Sequence, residues 1–216
     1  MDIDKTRAKL LQATLPHVAF DGWTEKALLA GAAELDLDQA EALNAFPGGP
    51  AELIEYFSSE ADRRLLAELE KRDLAGMRVR ERVALGVRLR LEQLAPHREA
   101  VRRGLGFLSL PQHVGLGLAC LYRTVDAIWY AAGDTSTDYN FYSKRILLAG
   151  VYSSTLLVWL NDRSEDFAET WAFLERRIGE VLKIGGTLGR ALGGFLDLPD
   201  RILRARAGPR GTRPSR

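Results

Sequence analysis

The run VGLGLACLYRTVDAIWYAAGDTSTDYNFYSKRILLAGVYSSTLLVWL, Val114–Leu160, holds two strongly apolar segments parted by a polar one, Gly133–Arg145. Its apolar residues recur at steps of three and four and never alternate with period two, which marks helices rather than strands. The first segment approaches membrane-spanning length, but Arg123 and Asp126 interrupt its middle. The second, Ile146 to Leu160, falls short of the roughly 20 residues that a span requires. Apolar residues cover more than one narrow face of each, so both read as helices buried on most sides of a folded domain.

The same spacing runs through the rest of the chain, and the predicted fold class is all-α, with about nine helices and a C-terminal amphipathic helix. The helices are expected near Lys5 to Ala19, Thr24 to Glu34, Asp38 to Ala45, Pro50 to Leu74, Val79 to Leu94, Pro96 to Leu108, Gln112 to Ala132, Thr137 to Leu160 and Glu165 to Val181. Breakers support the divisions: "FPGGP" puts Pro50 in a first helical turn, Gly76 closes a charged helix, and "NDRSED" separates two periodic segments. The expected organisation is a three-helix head over 1–62, a helical body over 63–181, an amphipathic helix over 182–206 and a disordered tail over 207–216, where Gly, Pro and Arg leave almost no apolar content.

At 216 residues and 46% hydrophobic content the chain can bury one good core. A net charge of +1 predicts no strong overall field for nucleic acid. Cys120, the only cysteine, sits in an apolar run; this excludes a disulfide framework and fits a reducing compartment. The start, "MDIDKTRAKLL", has neither an apolar stretch after a basic one nor the acid-poor composition of a transit peptide, so a bacterial-type cytoplasmic location is expected.

Signatures of catalysis are missing. His17, His97 and His113 are far apart, and none has a Glu three residues before it, so neither a di-iron Glu-x-x-His pattern nor a His-x-x-x-His zinc pair occurs. The pairs Gly104/Gly106 and Gly115/Gly117 lack a third glycine and a preceding strand, and read as close helix packing or turns. No serine stands in a Gly-x-Ser-x-Gly elbow. Asp134, Ser136 and Asp138 begin like a calcium loop, but Tyr139 replaces its glycine and Arg145 its closing glutamate. The expectation is a protein with no metal and no cofactor, and not an enzyme.

The polar stretch admits two readings. Asp134, Thr135, Ser136 and Thr137 can cap the following helix, with Asp138 at the positive end of its dipole. Asn140, Phe141, Tyr142, Lys144 and Arg145 go beyond capping, since an amide, aromatics and bases over less than two turns resemble an interface hot spot. The apolar helices likewise permit a solid core or a lined cavity. In the second case Leu118, Leu121, Tyr122, Val125 and Trp129 on one helix would face Leu148, Val151, Tyr152 and Thr155 on the next, as walls for a lipid tail. The last element places Val181, Ile184, Leu188, Leu192, Phe195, Leu196 and Leu203 on one face and Lys183, Arg190, Asp197, Arg201 and Arg204 opposite. A bilayer surface or the protein's own domain could dock it.

The opening elements, with "DGW" after the first helix and "YF" early in the fourth, resemble the DNA-binding head of the tetracycline-repressor (TetR) family. Charge opposes that use: Asp21, Glu25, Glu34, Asp36, Asp38, Glu41, Glu52, Glu55, Glu60 and Asp62 face the single base Lys26, and the recognition-helix position "LDQAEALNAF" offers no cation to phosphates. "LPHVAFDGWTEKAL", "FPGGPAELIEYF" and the long run from Gly133 to Ile178 are together similar to the ubiquinone-biosynthesis accessory family, a lipid-binding branch of the TetR fold that partners the demethoxyubiquinone hydroxylase. The resemblance implies a non-enzymatic homodimer that binds an isoprenoid quinone intermediate as its ligand and presents it to a quinone-ring hydroxylase. It implies dimerisation through helices around Leu148 to Trp159 and Phe167 to Ile178. It also implies a hydroxylase-docking surface at Asp138, Asn140, Phe141, Tyr142 and Arg145, with Phe141 standing where some relatives carry tryptophan. Membrane contact through Lys183, Ile184, Leu188, Arg190, Leu192, Phe195 and Leu196 would place the protein peripherally at the inner membrane. The competing expectation is a TetR-type ligand-responsive transcriptional regulator.

Overall fold

The computed structural model describes residues 3–134 and 139–181, and of Tyr139 and Asn140 it describes the backbone alone. Among these residues every regular element is helical: α1 (Ile3–Asp21), α2 (Glu25–Ala33), α3 (Gln39–Ala45), α4 (Gly49–Glu70), α5 (Val79–Leu94), α6 (Arg98–Leu108), α7 (Val114–Ala131), α8 (Tyr139–Asn161) and α9 (168–181). The chain divides into two units, Met1–Glu175 and Arg176–Arg216. In the second only 176–181 are described, with Arg177 and Glu180 paired at 2.8 Å. The expected amphipathic helix with Lys183, Ile184, Leu188, Arg190, Leu192, Phe195 and Leu196, the tail over 207–216, and the capping residues 135–138 lie outside the described residues.

The head forms because its turns are capped and its small residues permit close approach. Thr24 accepts from Ala27 N–H at 3.2 Å to start α2. Asp38 and Glu41 make a reciprocal capping box at the start of α3, satisfying donors that the first helical turn leaves free. Leu10, Leu11, Leu15 and Val18 of α1 then close over Ala27, Leu28, Ala42 and Phe46 to form one buried cluster. Trp23 joins this cluster and donates its indole N–H to Ala100 O of α6 at 2.9 Å, which fastens the head to the body.

Two boundaries differ from the periodicity reading. α4 stops at Glu70 rather than Leu74, and the Asp73 carboxylate accepts from Ala75 N–H at 3.0 Å to hold a turn instead. The segment from Glu165 begins as a short 3₁₀ turn in which Asp166 and Phe167 take positive φ, and regular helix starts only at 168. Asp162 organises this corner: Oδ1 accepts from Ser164 N–H and Oγ–H, and Oδ2 accepts from Thr170 N–H and Oγ1–H. At the same corner Arg98 and Arg102 of α6 donate to the carbonyls of Trp159, Leu160 and Asp162, placing cations on the negative end of α8.

α7 and α8 are less enclosed than expected. Each keeps one face toward the core, but Val114, Leu118, Tyr122 and Tyr130 of α7 and Tyr142, Ile146 and Leu157 of α8 are exposed. The apolar excess in the deciding stretch is thus partly spent on an open face. No described helix is long and apolar enough to cross a membrane.

Two tests of this packing follow. A Cβ on Gly31 would lie 2.6–2.8 Å from Thr14 Oγ1, N and Cα, so α1 and α2 would have to part. Gly31→Ala should lower unfolding free energy by about 1–3 kcal/mol in urea titration, against the gain in helix propensity that alanine brings on an open helix. Burial raises the Asp162 pKa, but the hydrogen bonds from Ser164 and Thr170 outweigh it and hold the carboxyl down from 3.8 to about 2. The stabilisation is complete above the unfolded value and is lost as pH falls through the folded one. The stability gap between the native chain and Asp162→Asn should therefore be widest near neutrality and narrow between about pH 4 and pH 2; a gap independent of pH would contradict the ionised cap.

Candidate functional site: an apolar cavity with a polar wall

A cavity of about 420 Å³ opens among α4, α5, α6, α7 and α8, with Trp23 of the head at one side. This volume falls within the roughly 300–1,000 Å³ typical of small-molecule sites. Its apolar lining comes from Ile54 and Phe57 of α4, Leu94 of α5, Val101, Leu105 and Leu108 of α6, Leu118 and Leu121 of α7, and Leu156 of α8. Gly104 and Gly117 also line it; each has a neighbour that a Cβ would crowd, Trp23 Nε1 at 3.2 Å and Leu108 Cβ at 3.3 Å. Their partners Gly106 and Gly115 face open space, so one glycine of each pair serves close packing.

One wall is polar because α4 buries Asp62, which is 4% exposed. Arg90 of α5 donates Nε–H to Asp62 Oδ1 at 3.0 Å and Nη2–H to Ser58 O at 3.2 Å. Thr124 of α7 donates its hydroxyl to the same Oδ1 at 2.7 Å. Arg123 reaches Asp62 Oδ2 at 3.4 Å and Glu55 at 3.3 Å. Arg90, Thr124, Ser58 and Tyr152 all face into the cavity lining. Burial pushes the Tyr152 phenol pKa up, with Arg90 opposing, so the hydroxyl stays protonated near neutrality. Burial likewise raises the Cys120 thiol, which keeps this cavity residue a neutral apolar side chain. Among the described residues no cluster of three His, Cys, Asp or Glu could hold a metal.

The expected lipid-facing residues divide. Leu118, Leu121 and Tyr152 line the cavity. Val125, Leu148, Val151 and Thr155 are buried off it in solid packing, and Thr155 donates its hydroxyl to Val151 O within its own helix. Tyr122 turns outward. The reason is rotational: Gly117, Leu121 and Thr124 form the α7 face that looks inward, about one position away from the stripe that leucine spacing selects. The α6 wall and Trp23 escaped sequence reading, although Val101, Leu105 and Leu108 stand at steps of four and three with Arg103 opposite.

Trp129 belongs to a second site, at the start of α8. Its indole donates to Lys144 O at 3.1 Å, and the Lys144 ammonium lies 5.5 Å from its ring centre. The Asp134 side chain is 3% exposed and pairs with Lys144 at 2.8 Å and Arg145 at 3.2 Å. Arg145, expected at a docking surface, is 6% exposed. Its Nε–H donates to Asp126 at 2.7 Å and its Nη1–H to Phe141 O at 3.1 Å, while its guanidinium packs over the Phe141 ring. A planar fork with three acceptors in reach is pulled inward. Tyr142, 62% exposed, and Ile146, 72% exposed, remain as the open face of this helix start, with Tyr142 edge-on to Phe141 at 5.1 Å. Asp138 and the Asn140 side chain lie outside the described residues.

Residues 114–185 match the COQ9 family model. The chain is 37% identical over 191 residues to ubiquinone biosynthesis protein COQ9, mitochondrial, of Rattus norvegicus, covering 85% of this chain and 61% of the relative. Against the Homo sapiens protein of the same name the identity is 36%, over 85% of this chain and 60% of the relative. The Drosophila melanogaster protein is 32% identical, over 88% and 60%. The chain thus spans about three fifths of the length of these relatives. Among solved structures, the TetR transcriptional regulator from Nitrosomonas europaea superposes with a TM-score of 0.68 at 22% identity, covering 82% of this chain and 98% of the regulator. The helix pair that decides the fold therefore lies in the segment that matches the COQ9 family, and the helical scaffold is TetR-like.

Proposed function

We propose that this protein serves ubiquinone biosynthesis without bond chemistry of its own: it holds an isoprenoid quinone intermediate in the cavity among α4 to α8 and presents it to a quinone-ring hydroxylase. The observation that carries this reading is an apolar cavity of about 420 Å³ with one polar wall, in a chain related to ubiquinone biosynthesis proteins. Apolar tail and oxygenated ring match those two parts of the lining. Burial of isoprenoid carbons is worth ~25 cal/mol per Å² of apolar area, so passage through water is unfavourable, and a protein that loads at a bilayer lowers that barrier. Peripheral attachment at the cytoplasmic side of the inner membrane, through the segment after Val181, belongs to this proposal.

Docking and self-association draw on the exposed face. Tyr142 and Ile146 offer an aromatic and an aliphatic anchor for the demethoxyubiquinone hydroxylase or its equivalent, braced from beneath by Phe141 and Arg145. Ile146, Gly150 and Leu157 lie at helical steps on the open side of α8, which suits a homodimer through this helix. The regulator reading has the fold in its favour, but α3 (Gln39–Ala45) contains Glu41 and no base. A mobility shift with promoter DNA at physiological salt would restore it.

Native mass spectrometry with lipid extraction on the full chain should find co-purified isoprenoid quinone, and a chain ending at Val181 should lose most of it. Lipid in neither form would overturn the lipid reading. Tyr142→Ala should weaken hydroxylase binding about tenfold or more in calorimetry while leaving the lipid load unchanged. Equal loss of both would mean that docking and lipid binding are not separate sites.

A further inference from the structure

The polar wall of the cavity contains a donor that the protein leaves unused. Arg90 is 3% exposed and lines the cavity. Nε–H bonds Asp62 and Nη2–H bonds Ser58 O, but the buried Nη1 has no hydrogen-bond partner among the described residues. Buried guanidinium donors are almost always paired, because an unmet charged donor away from water is costly. The rest of this cluster is fully engaged: Thr124 and Arg123 take Asp62, and Arg123 also takes Glu55.

We propose that Arg90 Nη1 is the head-group anchor of the cavity, donating a hydrogen bond to an oxygen on the ring of a prenylated quinone or phenol. This rests on the lipid-binding reading and assigns the ligand's direction: ring against Arg90 and Thr124, which Asp62 holds from behind, tail along Leu105, Leu108, Leu118 and Leu121. Charge selects the kind of oxygen. Asp62 and Glu55 already balance Arg90 and Arg123 in this wall, so a ligand carboxylate or phosphate would add an unbalanced anion near Asp62. A neutral carbonyl or hydroxyl oxygen meets the free N–H without that repulsion. Arg90 thereby acts as a specificity-determining residue, sorting oxygenated rings from bare isoprenoids and from fatty acids.

The test uses the full chain and three probes of similar length: a benzoquinone with a short prenyl tail, the corresponding isoprenoid hydrocarbon, and a fatty acid. Binding is followed by calorimetry in dilute detergent. The native protein should prefer the quinone over the hydrocarbon by about tenfold or more, as a charge-assisted hydrogen bond provides. Arg90→Lys keeps a cation beside Asp62 but loses the fork; it should bring the two affinities together. In the native complex, infrared spectra should show one ring carbonyl stretch shifted to lower frequency, a readout that needs no variant. Equal native affinities, an unshifted carbonyl, or a preference that survives in Arg90→Lys would each overturn the anchor while leaving the lipid cavity intact. A stronger response to the fatty acid would overturn the neutral-oxygen assignment. Binding of none of the three would instead fail the lipid reading itself.

Discussion

The body of this protein is organised around one buried carboxylate. Asp62 sits inside α4, where an ionised group is expensive unless every lone pair is met, and it meets them by drawing Arg90 from α5 and Arg123 and Thr124 from α7. Three helices are thereby fixed at one point by directional bonds rather than by apolar contact alone. This has a consequence for the space beside them. An apolar cavity favours collapse, because its lining forfeits contacts, yet a wall tied by charge-assisted hydrogen bonds cannot slide inward without breaking them. Removing one member of such a set leaves the others uncompensated, typically at 3–5 kcal/mol. The polar tie and the apolar cavity thus stand or fall together.

Helical periodicity and turn chemistry were enough to read the scaffold. Thr24, the Asp38–Glu41 box and Pro50 mark starts that the folded chain uses, and the spacing between Val114 and Leu160 yields α7 and α8. What spacing could not give is rotation. The leucine stripe of α7 suggests one inward face, but α7 packs with Gly117, Leu121 and Thr124 inward, because Thr124 must reach Asp62. A partner 62 residues earlier in the chain sets that rotation, and no local pattern reveals it. For the same reason Trp129 falls at the start of α8 and not in the cavity. The α6 wall was missed because its apolar face is short and framed by arginines, a pattern that reads as solvated surface until Arg98 and Arg102 are seen on the carbonyl end of α8.

The polar stretch before α8 resolves into a division of labour that composition alone left open. Arg145 turns inward: with the half-exposed Lys144 it neutralises Asp134 and Asp126, and it supports Phe141 from below. The apolar members of the stretch turn outward at Tyr142 and Ile146. This inverts the usual expectation for surface and core, and the reason is the guanidinium, which finds two carboxylates and a carbonyl within the fold, whereas the exposed phenol ring of Tyr142 rests edge-on against Phe141. A rigid aromatic on a braced helix start loses little side-chain entropy when covered, and that is the physical attribute of an anchor residue.

Likeness to a transcriptional regulator at 22% identity is a likeness of fold, and use has to be argued from the site. The head retains the three-helix arrangement, with Trp23 bonded to Ala100 O of α6 at 2.9 Å. Its electrostatics run the other way. Glu41 occupies a capping role at the start of the helix that would enter a groove, and Lys26, the only base from Asp21 to Asp62, is paired with Asp21 at 2.7 Å. Phosphates approaching α2 and α3 would meet mainly carboxylates, while the cavity behind them is lined by the head's own Trp23. The same tryptophan that fastens head to body thus forms part of the chamber. The head therefore contributes a wall to the cavity, through the same residue whose indole bonds Ala100 O.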